Sequence, residues 1–121
     1  MNPADLFAHE ENPVTLAAGE TLFRAGDAAD CMFVVLEGSL NVLVADKVVE
    51  NSRRGAILGE MALVDNAPRG ATVVAAAACK LAKVDERRFQ RLIQQNPFFA
   101  THVMKELVGR IRQMNKILAG G

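Results

Sequence analysis

Tryptophan and tyrosine are absent from this sequence, and the aromatics are limited to six phenylalanines. The usual stacking platforms for single-stranded nucleic acid are therefore missing. An excess of charge is missing too, since 14 Lys and Arg balance 14 Asp and Glu. Non-specific binders of nucleic acid or of membrane surfaces rely on a cationic face, so neither class fits. No apolar run approaches the ~20 residues that cross a bilayer. The first residues, MNPADLFAHEEN, have neither the basic n-region nor the apolar h-region of a secretory signal. The only cysteines, Cys31 and Cys79, each sit in an apolar run. That pattern reads as two reduced core thiols rather than a disulfide and predicts a cytoplasmic setting.

Histidine and serine are as scarce. His9 and His102 lie outside the strand-rich region, and Ser39 and Ser52 stand in no Gly-x-Ser-x-Gly turn. No nucleophile has a base beside it, and no two carboxylates pair as acid and base. The expectation is a protein that is not an enzyme and has no catalytic cofactor or metal.

What is present is a core-forming composition: half of the 121 residues are apolar. A chain of this size reads as one domain that needs no staples. Residues 1–121 are taken as a single unit, with a short helical segment over 1–13, strands over 14–85 and helices over 86–121. Asn2 and Pro3 suit the N-cap and first position of a short helix ending near His9. Strand-like runs follow at Val14–Leu16, Thr21–Phe23, Cys31–Leu36, Leu40–Val44, Lys47–Glu50, Thr72–Ala76 and Lys80–Val84. Glycine and acidic turn residues punctuate them roughly every ten residues, which predicts a small antiparallel, jelly-roll-like β-roll. Arg53 and Arg54 read as a turn. Asp85 is a good N-cap for a helix with Phe89, Leu92 and Ile93 on one face. Asn96-Pro97 ends it and starts the last helix, which runs to about Leu118. There Met104, Leu107, Ile111, Met114 and Leu118 follow steps of 3, 4, 3 and 4. This is a two-helix seam, whose commonest use is core packing. A homodimer or partner-protein contact is the other use. The fold class is mainly β with two C-terminal helices.

The chemistry concentrates in "GEMALVDNAPRGAT", residues 59–72. One carboxylate, Glu60, and one guanidinium, Arg69, stand among small apolar residues. Gly59 admits a ligand close to the backbone, and the N–H groups that start a helical turn favour an anion. Pro68 fixes the chain before Arg69, and Gly70 and Ala71 keep bulk away from it. An arginine fork with backbone donors suits a phosphate. Glu60 cannot face that anion, but it can accept a hydrogen bond from a neighbouring hydroxyl. In isolation, a Glu60–Arg69 pair would read as a structural ion pair. Within this motif a phosphate satisfies a buried arginine better.

The segment resembles the phosphate-binding cassette of cyclic nucleotide-binding domains. "GEMAL", the short loop "VDNA" and "PRGAT" follow that family's order, and "AGETLFRAGDAADCMFVVLEGSLNV" resembles the strands before it. The resemblance runs from about Val14 to Leu118. It implies that Arg69 pairs with a cyclic phosphate and that Glu60 takes the ribose 2′-OH. Backbone N–H groups over Gly59, Glu60, Met61 and Ala62, and of Gly70 and Ala71, would complete the cradle. Val42 and Val49 would pack on the base, and Arg110 would cap it, with Gln113 behind. Guanine-selective members often carry Thr directly after the arginine. Gly70 stands there, which favours cAMP over cGMP. Cupin enzymes share a similar roll but bind metal through strand histidines, which are missing here.

These features predict a regulatory cyclic-nucleotide sensor whose terminal helices move on binding. Two alternatives share the fold. One is the dimerising effector domain of a catabolite-activator-type transcription regulator, for which the chain ends at Gly121 before any helix-turn-helix; this chain alone would then bind no nucleic acid. The other is a regulatory domain excised from a channel or kinase.

Overall fold

The structure, a computed structural model, describes residues 2–119, apart from the side chains at positions 117 and 119. Asn2 caps a short 3-10 helix, Pro3–Phe7, by accepting from the Ala4 N–H. Eight strands follow: β1 (Val14–Leu16), β2 (Thr21–Phe23), β3 (Cys31–Glu37), β4 (Ser39–Val44), β5 (Lys47–Arg53), β6 (Ile57–Leu58), β7 (Thr72–Ala75) and β8 (Cys79–Asp85). A single helical turn, α1 (Met61–Val64), lies between β6 and β7, and α2 (Glu86–Gln95) and α3 (Pro97–Ala119) close the chain.

The strands form two antiparallel four-stranded sheets, ordered β1-β8-β3-β6 and β2-β7-β4-β5. The expected β-roll is therefore present. β3 is buried from Cys31 to Val35 on both of its faces. One face, with Met32 and Val34, packs with Ile57, Ala82 and Val84 against Phe7, Phe89, Phe99 and Val103 of the helical segments. The other, with Cys31, Phe33 and Val35, meets Leu40, Val73 and Ala75 of the second sheet. A continuous apolar strand such as "CMFVVL" is what this double burial requires. The Cys31 and Cys79 thiols are buried and unbridged, as their surroundings predicted.

Asp85 caps α2 by accepting from the Arg88 N–H at 2.8 Å. Asn96 then separates α2 from α3, and its side chain accepts from the Phe99 N–H at 3.1 Å.

Three expectations need correction. The strand β6 has no counterpart among the expected runs, because two residues between turns have no readable period. Arg53 ends β5, so the turn involves Arg54 and Gly55. The seam of α3 is not core: Met104, Ile111, Met114 and Leu118 are exposed and only Leu107 is half-buried. Phe99 and Val103, nearer the start of α3, supply its core contacts instead.

Candidate functional site

Residues 59–71 carry the chain from β6 in one sheet to β7 in the other. Gly59 has a φ of +77°, a left-handed turn that glycine adopts without strain. The turn leads into α1, where Ala62 is buried and Met61 faces solvent. Asp65 then accepts from the Ala67 N–H at 3.1 Å, a side-chain turn that brings the chain back towards β7.

This return places Arg69 inside the roll, where it is 8% exposed. Its Nη1 donates to the Gly59 carbonyl at 3.2 Å, and its Nη2 lies 3.5 Å from Cys31 Sγ. The guanidinium carbon stands 4.2 Å from the centroid of the Phe23 ring and 5.8 Å from that of Phe33. A Cβ on Gly59 would fall on Nη1, so any other residue there would displace the guanidinium as well as strain the φ. Among the described residues no carboxylate pairs with Arg69. Burial pushes the Cys31 thiol up from its ordinary value, and the neighbouring Arg69 charge offsets only part of that.

Glu60 is 1% exposed. Its Oε1 is paired with Arg110 Nη1 from α3, and its Oε2 is buried with no hydrogen-bond partner among the described residues. Arg110 also donates through Nη2 to the Ile57 carbonyl at 2.6 Å. Two further carboxylates face the same Nη2, Glu50 at 3.6 Å and Glu106 at 4.0 Å. Burial alone would lower the affinity of Arg110 for its proton. Glu60 outweighs it, helped by Glu50 and Glu106, so the guanidinium is held up and stays charged. The ion pair of this region is thus Glu60–Arg110 and not Glu60–Arg69.

The structure brings Gly59 against Arg69, and Glu60 against Arg110. Ala71 is half-buried. Gly70 is exposed, and a Cβ added there would meet no heavy atom within 4 Å. The Ala62 N–H donates to the Gly59 carbonyl at 3.3 Å, so one of the expected cradle donors is already engaged. Val42 is half-buried on β4, whereas Val49 is exposed. A bulge lies here: Val42 pairs with Glu50 and Leu43 with Val48, which leaves Val49 without a partner in the register. Gln113 is exposed. Sequence reasoning missed Phe23, Cys31, Glu50 and Glu106 as neighbours of the two arginines. Only Glu106 had a legible signal, its i,i+4 spacing to Arg110.

The family model described as the cyclic nucleotide-binding domain matches residues 13–96. The chain belongs to the cyclic nucleotide-binding domain family. A cyclic nucleotide-gated potassium channel of Mesorhizobium japonicum is 38% identical over 96 residues, which are 79% of this chain and 26% of the channel. Among solved structures, cAMP-bound PfPKA-R superposes with a TM-score of 0.72 at 26% identity, over 90% of this chain and 36% of the other. A protein from a study of a cyclic-GMP-dependent signalling pathway in bacterial phytopathogenesis superposes with a TM-score of 0.75 at 25% identity, over 90% of both chains. The domain spans between 8% and 26% of the length of the curated relatives it matches. Among its described residues no helix is long and apolar enough to cross a membrane.

Proposed function

We propose that this domain is a non-catalytic, cytoplasmic sensor of a cyclic nucleotide, with cAMP preferred over cGMP. One observation carries the reading. A buried guanidinium, Arg69, has no carboxylate partner among the described residues, and it shares the crossover with a buried carboxylate, Glu60, whose Oε2 has none either. An arginine in that state calls for an anion, and such a carboxylate oxygen calls for a donor. A cyclic phosphate fused to a ribose offers both on one rigid scaffold. Arg69 takes the phosphate, with the N–H groups of Gly59, Glu60 and Met61 and of Gly70 and Ala71 as further donors, the Ala62 N–H being held by the Gly59 carbonyl. Glu60 Oε2 takes the 2′-OH while Oε1 stays with Arg110. Val42 and Val49 receive the base, and Arg110 and Gln113 stand on the α3 side of it.

This assignment gives the ligand a lever. Arg110 joins α3 to Glu60 and to the Ile57 carbonyl, so a ligand that tightens Glu60 also tightens α3. The response is a shift in population between positions of α3, limited by the ligand's differential affinity for them. A second reading, the dimerising effector domain of a transcription regulator, draws support from the exposed apolar face of α3. A regulatory domain of a channel or kinase fits the same site. In each case the controlled partner belongs to a larger protein.

Calorimetric titration with cAMP, cGMP and linear AMP tests the sensor. The expected order is cAMP before cGMP, with linear AMP far weaker because an open phosphate lacks the fused ring. No heat from either cyclic nucleotide at millimolar concentration would end the reading.

A further inference from the structure

We infer that Phe23 is a positioning residue for Arg69, fixing its guanidinium by a ring face where a carboxylate would otherwise do so; the inference rests on the assignment of Arg69 to the phosphate. A buried arginine is ordinarily held by an acidic partner. Such a partner would orient the guanidinium but also neutralise it, and an incoming anion would compete with it. An aromatic ring attracts the cation through its quadrupole and carries no net charge. It can set the orientation while leaving the full positive charge for the ligand.

The fold makes the arrangement rigid. β2 pairs with β7, with Phe23 opposite Val73, four residues beyond Arg69. The loop after Phe23 grips the Arg69 backbone from both sides: the Gly26 N–H donates to the Arg69 carbonyl at 2.8 Å, and the Arg69 N–H donates to the Asp27 carbonyl at 2.9 Å. Ala25 N–H is tied to Thr72 Oγ1 at 3.0 Å, which fastens the same loop to β7. Phe33 of β3 stacks on Phe23, with ring centroids 6.2 Å apart and planes 28° from parallel. The Phe23 ring is therefore braced by Phe33 and lies nearer the guanidinium, at 4.2 Å against 5.8 Å for Phe33. Gly59 and Cys31 fix the edge of the guanidinium through Nη1 and Nη2. An arginine has five N–H donors, so donors remain for an anion lying in the guanidinium plane. Ring face, carbonyl and thiol together orient a charge without cancelling it.

The test is cAMP calorimetry on the full chain, run beside thermal unfolding. Phe23→Tyr keeps the ring face and is expected to bind within about threefold of the parent. Phe23→Leu keeps apolar bulk without the quadrupole and is expected to bind about tenfold more weakly. Site-specific Phe23→trifluorophenylalanine keeps the shape and withdraws electron density from the face. It is expected to lose affinity while the unfolding midpoint stays unchanged, which a purely structural role would not produce. If Phe23→Leu unfolds, the trifluoro variant carries the test alone. Parental affinity in the trifluoro variant would overturn the inference. No binding by the parent chain would instead overturn the phosphate assignment beneath it.

Discussion

Arg110 of α3 and Glu60 of the crossover form an ion pair in which the carboxylate is 1% exposed, and the same guanidinium caps the Ile57 carbonyl. Removing one partner leaves the other's charge or dipole buried alone, which costs more than the pair contributes. Arg110→Ala is expected to destabilise the domain by about 3 kcal/mol, the lower end for a buried pair because Arg110 is itself half-exposed. Arg110→Ala combined with Glu60→Gln should recover part of that loss, since no carboxylate is then stranded. Urea unfolding of the two single variants and the double variant measures the coupling. Additive losses would mean that the pair stabilises nothing.

Arg69→Ala probes the other arginine. It removes the only charge within the crossover able to meet a phosphate, and the expected loss of cAMP affinity is about 2–4 kcal/mol. Stability should not fall in step, because Arg69 has no carboxylate to strand. Calorimetry and unfolding on the same sample separate the two effects. An unchanged affinity places the phosphate elsewhere.

Gly59 and Gly70 lie close in sequence and differ in what they tolerate. A Cβ at Gly59 runs into Arg69 Nη1 from a backbone at φ +77°, while nothing lies within 4 Å of one at Gly70. Gly59→Ala should therefore cost about 2 kcal/mol of stability through φ strain and displaced guanidinium, and cAMP affinity should fall with it. Gly70→Ala should be close to neutral in both measurements. Gly70→Thr has room for its hydroxyl and should raise cGMP affinity relative to cAMP. An unchanged ratio would remove Gly70 as the determinant of base choice.

The two thiols give a pH signature. Burial raises the pKa of both Cys31 and Cys79 above the ordinary thiol value. The unfolded chain then releases these protons first, so their influence is absent below the unfolded pKa of roughly 8.5. As pH rises from there towards the folded values, stability falls, at most by about 1.4 kcal/mol per pH unit for each thiol. Urea midpoints measured from pH 7 to pH 10 should decline more steeply in the parent than in Cys31→Ala/Cys79→Ala. Equal slopes would show that the thiols ionise alike in both states.

The roll is legible in the sequence because glycines and apolar runs mark strands locally. Val14–Leu16 and Thr21–Phe23 match the structure to the residue, and the Asp85 cap and the Asn96-Pro97 break set the helices. Arg69 and Glu60 are legible because their motif is contiguous. What stays hidden depends on distance along the chain. The family resemblance sets Arg110 over a base, yet its partner is a carboxylate 50 residues earlier, which no local pattern encodes. Phe23 has only a strand signal, since its contact with Arg69 arises from the pairing of β2 with β7. Val49 loses its register to a bulge. Periodicity marks an apolar stripe on α3 but does not say whether the chain itself covers it, and the chain leaves most of it exposed.

That seam supports the last prediction. Met104, Leu107, Ile111, Met114 and Leu118 form an apolar stripe that is exposed except at the half-buried Leu107, with Ile111 59% and Met114 63% exposed. Their spacing alternates as in the a and d positions of a coiled coil. Lys105, Arg112 and Lys116 fall outside those positions, so a second α3 could pack against the first without opposing like charges across the seam. Arg110 lies beside the seam but is committed to Glu60. A parallel homodimer through α3 is the expected assembly, and sedimentation equilibrium should show a concentration-dependent dimer. Ile111→Glu and Met114→Glu each place a carboxylate in the seam and should return the monomer, with cAMP affinity changed less than by Arg69→Ala. A parent chain that stays monomeric at high micromolar concentration would leave the stripe without this role.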